Sequence, residues 1–231
     1  MNVLLFGATG MVGQGVLREC LLDDRVDSVR AVVRAPLDTT HPKLTAIVHR
    51  DFTDFTALAG EFEDVDACFY CLGVTSAGKG EDEYRRITHD YTLAAAHALP
   101  ANPSLTFVFV SGEGTDSTEH GRSMWARVKG RTENELLGMD FHAYMFRPGY
   151  IHAMHGERSR TPAYRWIYPV VSRLYPLLRR VMPDKVTTTE NIGRAMIAVT
   201  GWNGTGEHIL RSPEINRIAD APAQGDPKER P

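Results

Sequence analysis

Short apolar runs recur along the first two thirds of the chain, each followed by a longer stretch of different period. The runs at residues 3–6, 28–33, 44–48, 67–71, 105–110 and 141–146 are four to six residues long and rich in β-branched and aromatic residues, which predicts strands. Residues 11 to about 22, 81–99 and about 123–137 carry apolar positions three and four apart, which predicts amphipathic helices. Strands that alternate with helices in this way form a mostly parallel, doubly wound α/β sheet with helices on both faces.

After Pro148 the rhythm breaks. Residues 155–183 hold six arginines against one acid, Glu157, interleaved with Tyr164, Trp166, Tyr168 and Tyr175. Pro169 and Pro176 interrupt any long amphipathic helix there, so this stretch is expected to be a small substrate-side insertion that forms a lid. Regular patterning returns at residues 187–200, with Ile192, Ala195, Met196 and Val199 at helical spacing, and a last short strand is expected at 207–210. Residues 1–211 thus read as a single domain. From Ser212 onward prolines and charges dominate, so 212–231 are expected to be a disordered tail.

Composition narrows the function classes. A net charge of −3 across 231 residues gives no overall attraction to nucleic acid. Three cysteines, Cys20, Cys68 and Cys71, are too few for a secreted disulfide framework. With no targeting pattern at residues 1–6 and no apolar run long enough for a transmembrane segment, a cytoplasmic protein is expected. As partners, this reading admits a small-molecule substrate or none, and a homodimer.

Gly7-Ala8-Thr9-Gly10-Met11-Val12-Gly13 follows the first strand directly and opens the first helix. That is the Rossmann-type dinucleotide arrangement: Gly7 for the tight turn, Gly10 for close approach of a pyrophosphate, Gly13 for close packing of helix on strand. The lysine of a nucleoside-triphosphate loop is absent. At the end of the second strand Arg34 stands where an acid would bind the ribose of NAD, and a guanidinium suits the extra phosphate of NADP. NADP is therefore the expected cofactor, with NAD second.

With this loop, Arg34, Asp51-Phe52, Ser111, Lys129 in a Val-Lys-Gly segment and Arg147-Pro148-Gly149, the chain resembles the atypical short-chain dehydrogenase/reductases over roughly residues 1–200. It is most similar to their small NAD(P)H-binding, epimerase-like and Tat-interacting oxidoreductase group. The resemblance implies that Gly7, Thr9, Gly10, Met11, Val12 and Arg34 bind the phosphates. It sets Asp51 and Phe52 by the adenine, Leu72 and Gly73 on the adenosine ribose side, and Pro148 and Gly149 by the nicotinamide. Ser111 matches the catalytic serine, and Lys129 the lysine that binds the nicotinamide ribose. The family's tyrosine, four residues before that lysine, is replaced by Trp125.

Residues four apart on a helix share a face, so Trp125 is expected to point into the tyrosine's pocket. An indole N–H donates a hydrogen bond but does not titrate near neutral pH. Two functions follow: an NADP-dependent oxidoreductase or epimerase-like enzyme whose proton comes from another group, or a catalytically silent NADP(H)-binding redox sensor or regulator. Tyr150 and His152 are the replacements nearest the expected nicotinamide. Cys68 and Cys71 lie three apart on a strand, hence on opposite faces, and the nine histidines show no ligand spacing, so no metal is expected.

Overall fold

The computed structural model describes residues 1–157, 175 and 180–221. Strands β1 (Asn2–Phe6), β2 (Ser28–Val33), β3 (Leu44–Val48), β4 (Ala67–Tyr70), β5 (Thr106–Val110), β6 (His142–Arg147) and β9 (Ile209–Arg211) form one sheet. Its order is β3-β2-β1-β4-β5-β6-β9 and every neighbouring pair is parallel. The chain runs outward from β1 through β2 and β3, then returns to β4 on the other side of β1. That reversal opens a crevice at the carboxyl ends of β1 and β4, the usual ligand position in such sheets.

Alternate residues of each strand feed two cores. Val3, Leu5, Phe69, Val108 and Tyr144 pack under α1 (Met11–Leu22), α5 (Thr189–Thr200) and α6 (Ser212–Asp220). Leu4, Phe6, Cys68, Tyr70 and Phe107 pack on the other face, with Leu93 of α3 (Tyr91–Ala98) and Leu136 of α4 (Met124–Leu137). Both faces of the central strands β1, β4, β5 and β6 are buried, so these read as continuous apolar runs rather than alternating ones, whereas the edge strand β3 is half-exposed. Cys68 and Cys71 fall in opposite cores, and all three cysteines are free thiols.

Two departures from the sequence reading are local. The helix expected over 81–99 is α2 (Glu81–Arg85) and α3 joined by a π turn, Arg86–Asp90, whose His89 meets Glu135 of α4 at 3.0 Å. A second, two-stranded parallel sheet pairs β7 (Tyr150–His152) with β8 (Val186–Thr188), across the segment read as an insertion.

The larger correction concerns the tail. Residues 212–220 are not disordered but form α6, with Ile215 and Ile218 buried. Pro213 sits in its first turn, where a missing N–H costs nothing, and the Arg211 N–H donates to the Glu214 carboxylate at 2.9 Å. Proline there starts a helix rather than preventing one. The tail beyond 221, and most of the lid expected at 155–183, lie outside the described residues.

Candidate functional site

Gly7 leaves β1 with φ +82°, a conformation that glycine adopts without strain. A Cβ there would also come within 2.6 Å of the Cys71 and Leu72 backbone, so the turn after β1 lies directly against the end of β4. The Gly10 N–H donates to the Gly7 carbonyl at 2.9 Å and closes the turn. A Cβ on Gly13 would stand 2.1 Å from that carbonyl, so α1 packs as tightly as glycine permits.

Gly10 caps α1, whose first turn carries no acid, and a Cβ on Gly10 meets only the Gly7 carbonyl, at 3.4 Å. The helix N-terminus is thus open outward, flanked by the half-buried Thr9, Met11 and Val12. Its free N–H groups and its dipole suit an anion. Arg34, just past β2, is exposed and engages no ion pair or side-chain hydrogen bond among the described residues. Gly73, past β4, is exposed with nothing near its Cβ position. These residues follow the carboxyl ends of β1, β2 and β4, which are neighbours in the sheet.

Asp51 and Phe52 divide their tasks. Phe52 is buried beside Phe6, Phe55 and Tyr91 and seats the loop, whereas Asp51 remains exposed. Its carboxylate accepts from the Thr53 N–H at 2.9 Å and hydroxyl at 2.5 Å, which holds its pKa below the usual value.

Further along the crevice the ends of β5 and β6 frame a cavity of about 630 Å³. Ser111 is buried there, with its N–H and Oγ both donating to the Phe146 carbonyl, at 2.8 and 3.1 Å. The Lys129 ammonium, reaching from α4, donates to the Ser111 carbonyl, so this pair does converge. Burial lowers the Lys129 pKa to about 8, partly opposed by the charge of Glu133 one turn on. Glu133 is itself wholly buried and pairs with Arg147, which also donates to Ser117. Pro148 and Gly149 form the far wall of the cavity.

Trp125 does not point into this cavity. Its ring lies against Gly114, where a Cβ would come within 3.2 Å of Cζ-edge atom Cη2, and it is not among the lining residues. The positive φ of Gly114, +86°, bends the loop under the indole. Tyr150 lines the cavity, but His152 instead stacks on Tyr175, ring centroids 3.9 Å apart.

Two lining residues escaped the sequence reading. Glu113 stands between Gly112 and Gly114, and Lys185 precedes β8; they form an ion pair at the mouth of the cavity. The available signal was one carboxylate two residues past Ser111 in a glycine-flanked loop. Elsewhere, Glu19, His155 and Glu190 come within 4.8 Å of one another, but Arg194 pairs with both carboxylates and Arg18 with Glu19, so their charge is already matched.

Residues 7–155 match the model of a family described as NAD(P)H-binding. The chain is 32% identical over 164 residues to "Protein FMP52, mitochondrial" of Saccharomyces cerevisiae, covering 70% of this chain and 69% of that protein. It is 30% identical over 152 residues to "Protein HTATIP2" of Rattus norvegicus, covering 64% and 62%. A crystal structure of a short chain dehydrogenase family protein from Francisella tularensis superposes with a TM-score of 0.65 at 14% identity, over 91% of this chain and 96% of that one. The expected cytoplasmic location is overturned by the first relative, which is named mitochondrial. No helix among the described residues is long and apolar enough to cross a membrane.

Proposed function

The chain belongs to the NAD(P)H-binding family of short-chain dehydrogenase/reductase type, and on that premise we propose that it is an NADP-dependent oxidoreductase or epimerase-like enzyme acting on a small molecule. The observation that carries this reading is that the Lys129 ammonium donates to the carbonyl of Ser111, a residue that lines the cavity at the carboxyl ends of the same sheet whose first strand ends in the glycine loop. Gly7, Thr9, Gly10, Met11, Val12 and Arg34 would hold the phosphates of the dinucleotide. Asp51, Phe52, Leu72 and Gly73 would hold its adenosine half, and Lys129, Pro148 and Gly149 its nicotinamide half. When bound, the cofactor supplies or accepts hydride at the nicotinamide ring.

The chain's own residues do the rest. Ser111 is held by β6 and offers a hydroxyl oxygen to a substrate hydroxyl. Lys129, charged below pH about 8, binds the ribose and places positive charge near the reacting oxygen. Among the described lining residues Glu113, Tyr150 and Lys185 carry groups able to exchange a proton with substrate, which Trp125 cannot. Preference for NADP over NAD rests on the unpaired Arg34 guanidinium.

A second reading, a silent NADP(H)-binding redox sensor, has one observation in its favour: the side chain at the position that matches the family's tyrosine is Trp125, which packs on Gly114. Calorimetric titration with NADP(H) and NAD(H), followed by turnover assays on a panel of aldehydes, ketones and secondary alcohols, separates the cases. Turnover that falls in Ser111→Ala and Lys129→Ala supports the enzyme. Tight binding without turnover supports the sensor, and absence of binding defeats both.

A further inference from the structure

The charged pair at the cavity mouth bears on which form of the dinucleotide the site holds, given the cofactor reading above. The Glu113 N–H donates to the Pro148 carbonyl at 2.8 Å, which fixes the root of the side chain across the gap between β5 and β6. The carboxylate lies over Gly149: a Cβ there would come within 2.8 Å of Oε2. Glu113 is therefore held against the wall assigned to the nicotinamide. Lys185 closes the ion pair, its own backbone carbonyl standing against the same face of Gly149, 2.4 Å from where a Cβ would lie. With side-chain exposures of 39% for Glu113 and 57% for Lys185, the pair is solvated, and separating it costs little.

Lys129 and Arg147, the other cations near this wall, already have partners. Lys129 is directed to the Ser111 carbonyl, its Nζ 3.7 Å from where a Cβ on Gly112 would stand. Arg147 is neutralised by Glu133. Among the described lining residues Glu113 is the one acid and Lys185 the one base.

We propose that Glu113 makes the site discriminate between oxidised and reduced dinucleotide. The two forms share every phosphate and ribose contact; they differ in the positive charge that only the oxidised nicotinamide carries. A carboxylate at the ring's wall favours that charge, and Lys185 opposes the preference by neutralising the carboxylate. Near a solvated surface such a contact is worth about a threefold to tenfold change in relative affinity.

The test titrates the full chain with NADP⁺ and with NADPH at neutral pH and low salt, in wild type, Glu113→Gln and Lys185→Met. Glu113→Gln is expected to shift the affinity ratio toward NADPH, and Lys185→Met to shift it toward NADP⁺, by about threefold to tenfold each. Opposite signs are the signature, because simple loosening of the loop moves both variants the same way. A ratio unchanged in both variants, or shifted in one direction by both, overturns the inference while leaving cofactor binding intact. Failure of wild type to bind either form overturns the cofactor reading and this one together. If Glu113→Gln does not fold, the exposed Lys185→Met decides by the sign of its shift.

Discussion

Arg147 and Glu133 close a buried ion pair behind the cavity, the guanidinium Nε lying 3.1 Å from both carboxylate oxygens while Nη2 reaches Ser117 Oγ at 2.5 Å. Glu133 is fully buried, so removing either partner alone strands a charge without water. Glu133→Ala should cost about 3–5 kcal/mol of stability, and the double variant Glu133→Met with Arg147→Met distinctly less than the sum of its singles. Urea unfolding monitored by circular dichroism measures both; a single-variant cost under about 1 kcal/mol would mean the pair contributes nothing structural.

Gly10 and Gly13 should respond differently to a methyl group. At Gly13 a Cβ collides with the Gly7 carbonyl at 2.1 Å, so Gly13→Ala should lose several kcal/mol or fail to fold, as overpacking does. At Gly10 the nearest atom is 3.4 Å away, so Gly10→Val should fold and yet lose dinucleotide binding. Thermal melts and cofactor titration of both variants distinguish the outcomes, and a Gly10→Val protein with normal binding would reduce the loop to a turn.

Arg34→Ala should weaken NADP(H) by about 1.5–3 kcal/mol, the usual loss of a charge-assisted contact, with NAD(H) affinity unaltered. Because the side chain is exposed and unpaired, the substitution should leave the melting temperature unchanged. Calorimetry with both cofactors checks this, and an equal loss for NAD(H) would remove Arg34 from the phosphate site.

Given the proposed cofactor site, Lys129 should make cofactor binding pH-dependent. Burial lowers its pKa from 10.5 to about 8, so the ammonium that donates to Ser111 is lost as pH rises through about 8, and affinity should fall there. The unfolded chain keeps that proton up to 10.5. Between the two values it holds more protons than the folded chain, so this group's contribution to stability improves with rising pH in that window; below it, the cost of burying the charge is fully present. Titrations from pH about 6.5 to about 9.5 should show the fall in wild type and a flat profile in Lys129→Met.

Trp125→Tyr replaces an indole packed on Gly114 by a phenol on the helix face that carries Lys129. Position 125 faces Gly114 and not the cavity, so carbonyl reduction should gain far less than the factor of about 10² to 10⁴ that a placed general acid contributes. NADPH oxidation at saturating cofactor measures the effect. A gain of about 10² or more would mean that a side chain at this position reaches the reacting atoms.

The strands, their order of appearance and the glycine loop were legible in the sequence because each depends on neighbours close along the chain. Apolar runs buried on both faces announce a parallel sheet. Gly7, Gly10 and Gly13 are spaced by the geometry of one turn and the helix it opens. The same local logic set Cys68 and Cys71 on opposite faces, where the structure has them.

What only the tertiary structure decided depends on partners distant in sequence. Residues 212–220 look unstructured by composition, yet Ile215 and Ile218 find a core made by helices and strands from elsewhere, and that burial outweighs the polar bias. Trp125 shares a helix face with Lys129, but its direction was set by the space over Gly114, which helical spacing does not encode. Glu113 acquires its counter-ion from Lys185, 72 positions away, and Arg147 acquires Glu133 only when β6 docks against α4. Helix, strand and turn periodicity determine which residues face one side of an element; charge pairing and cavity walls arise only when elements pack together.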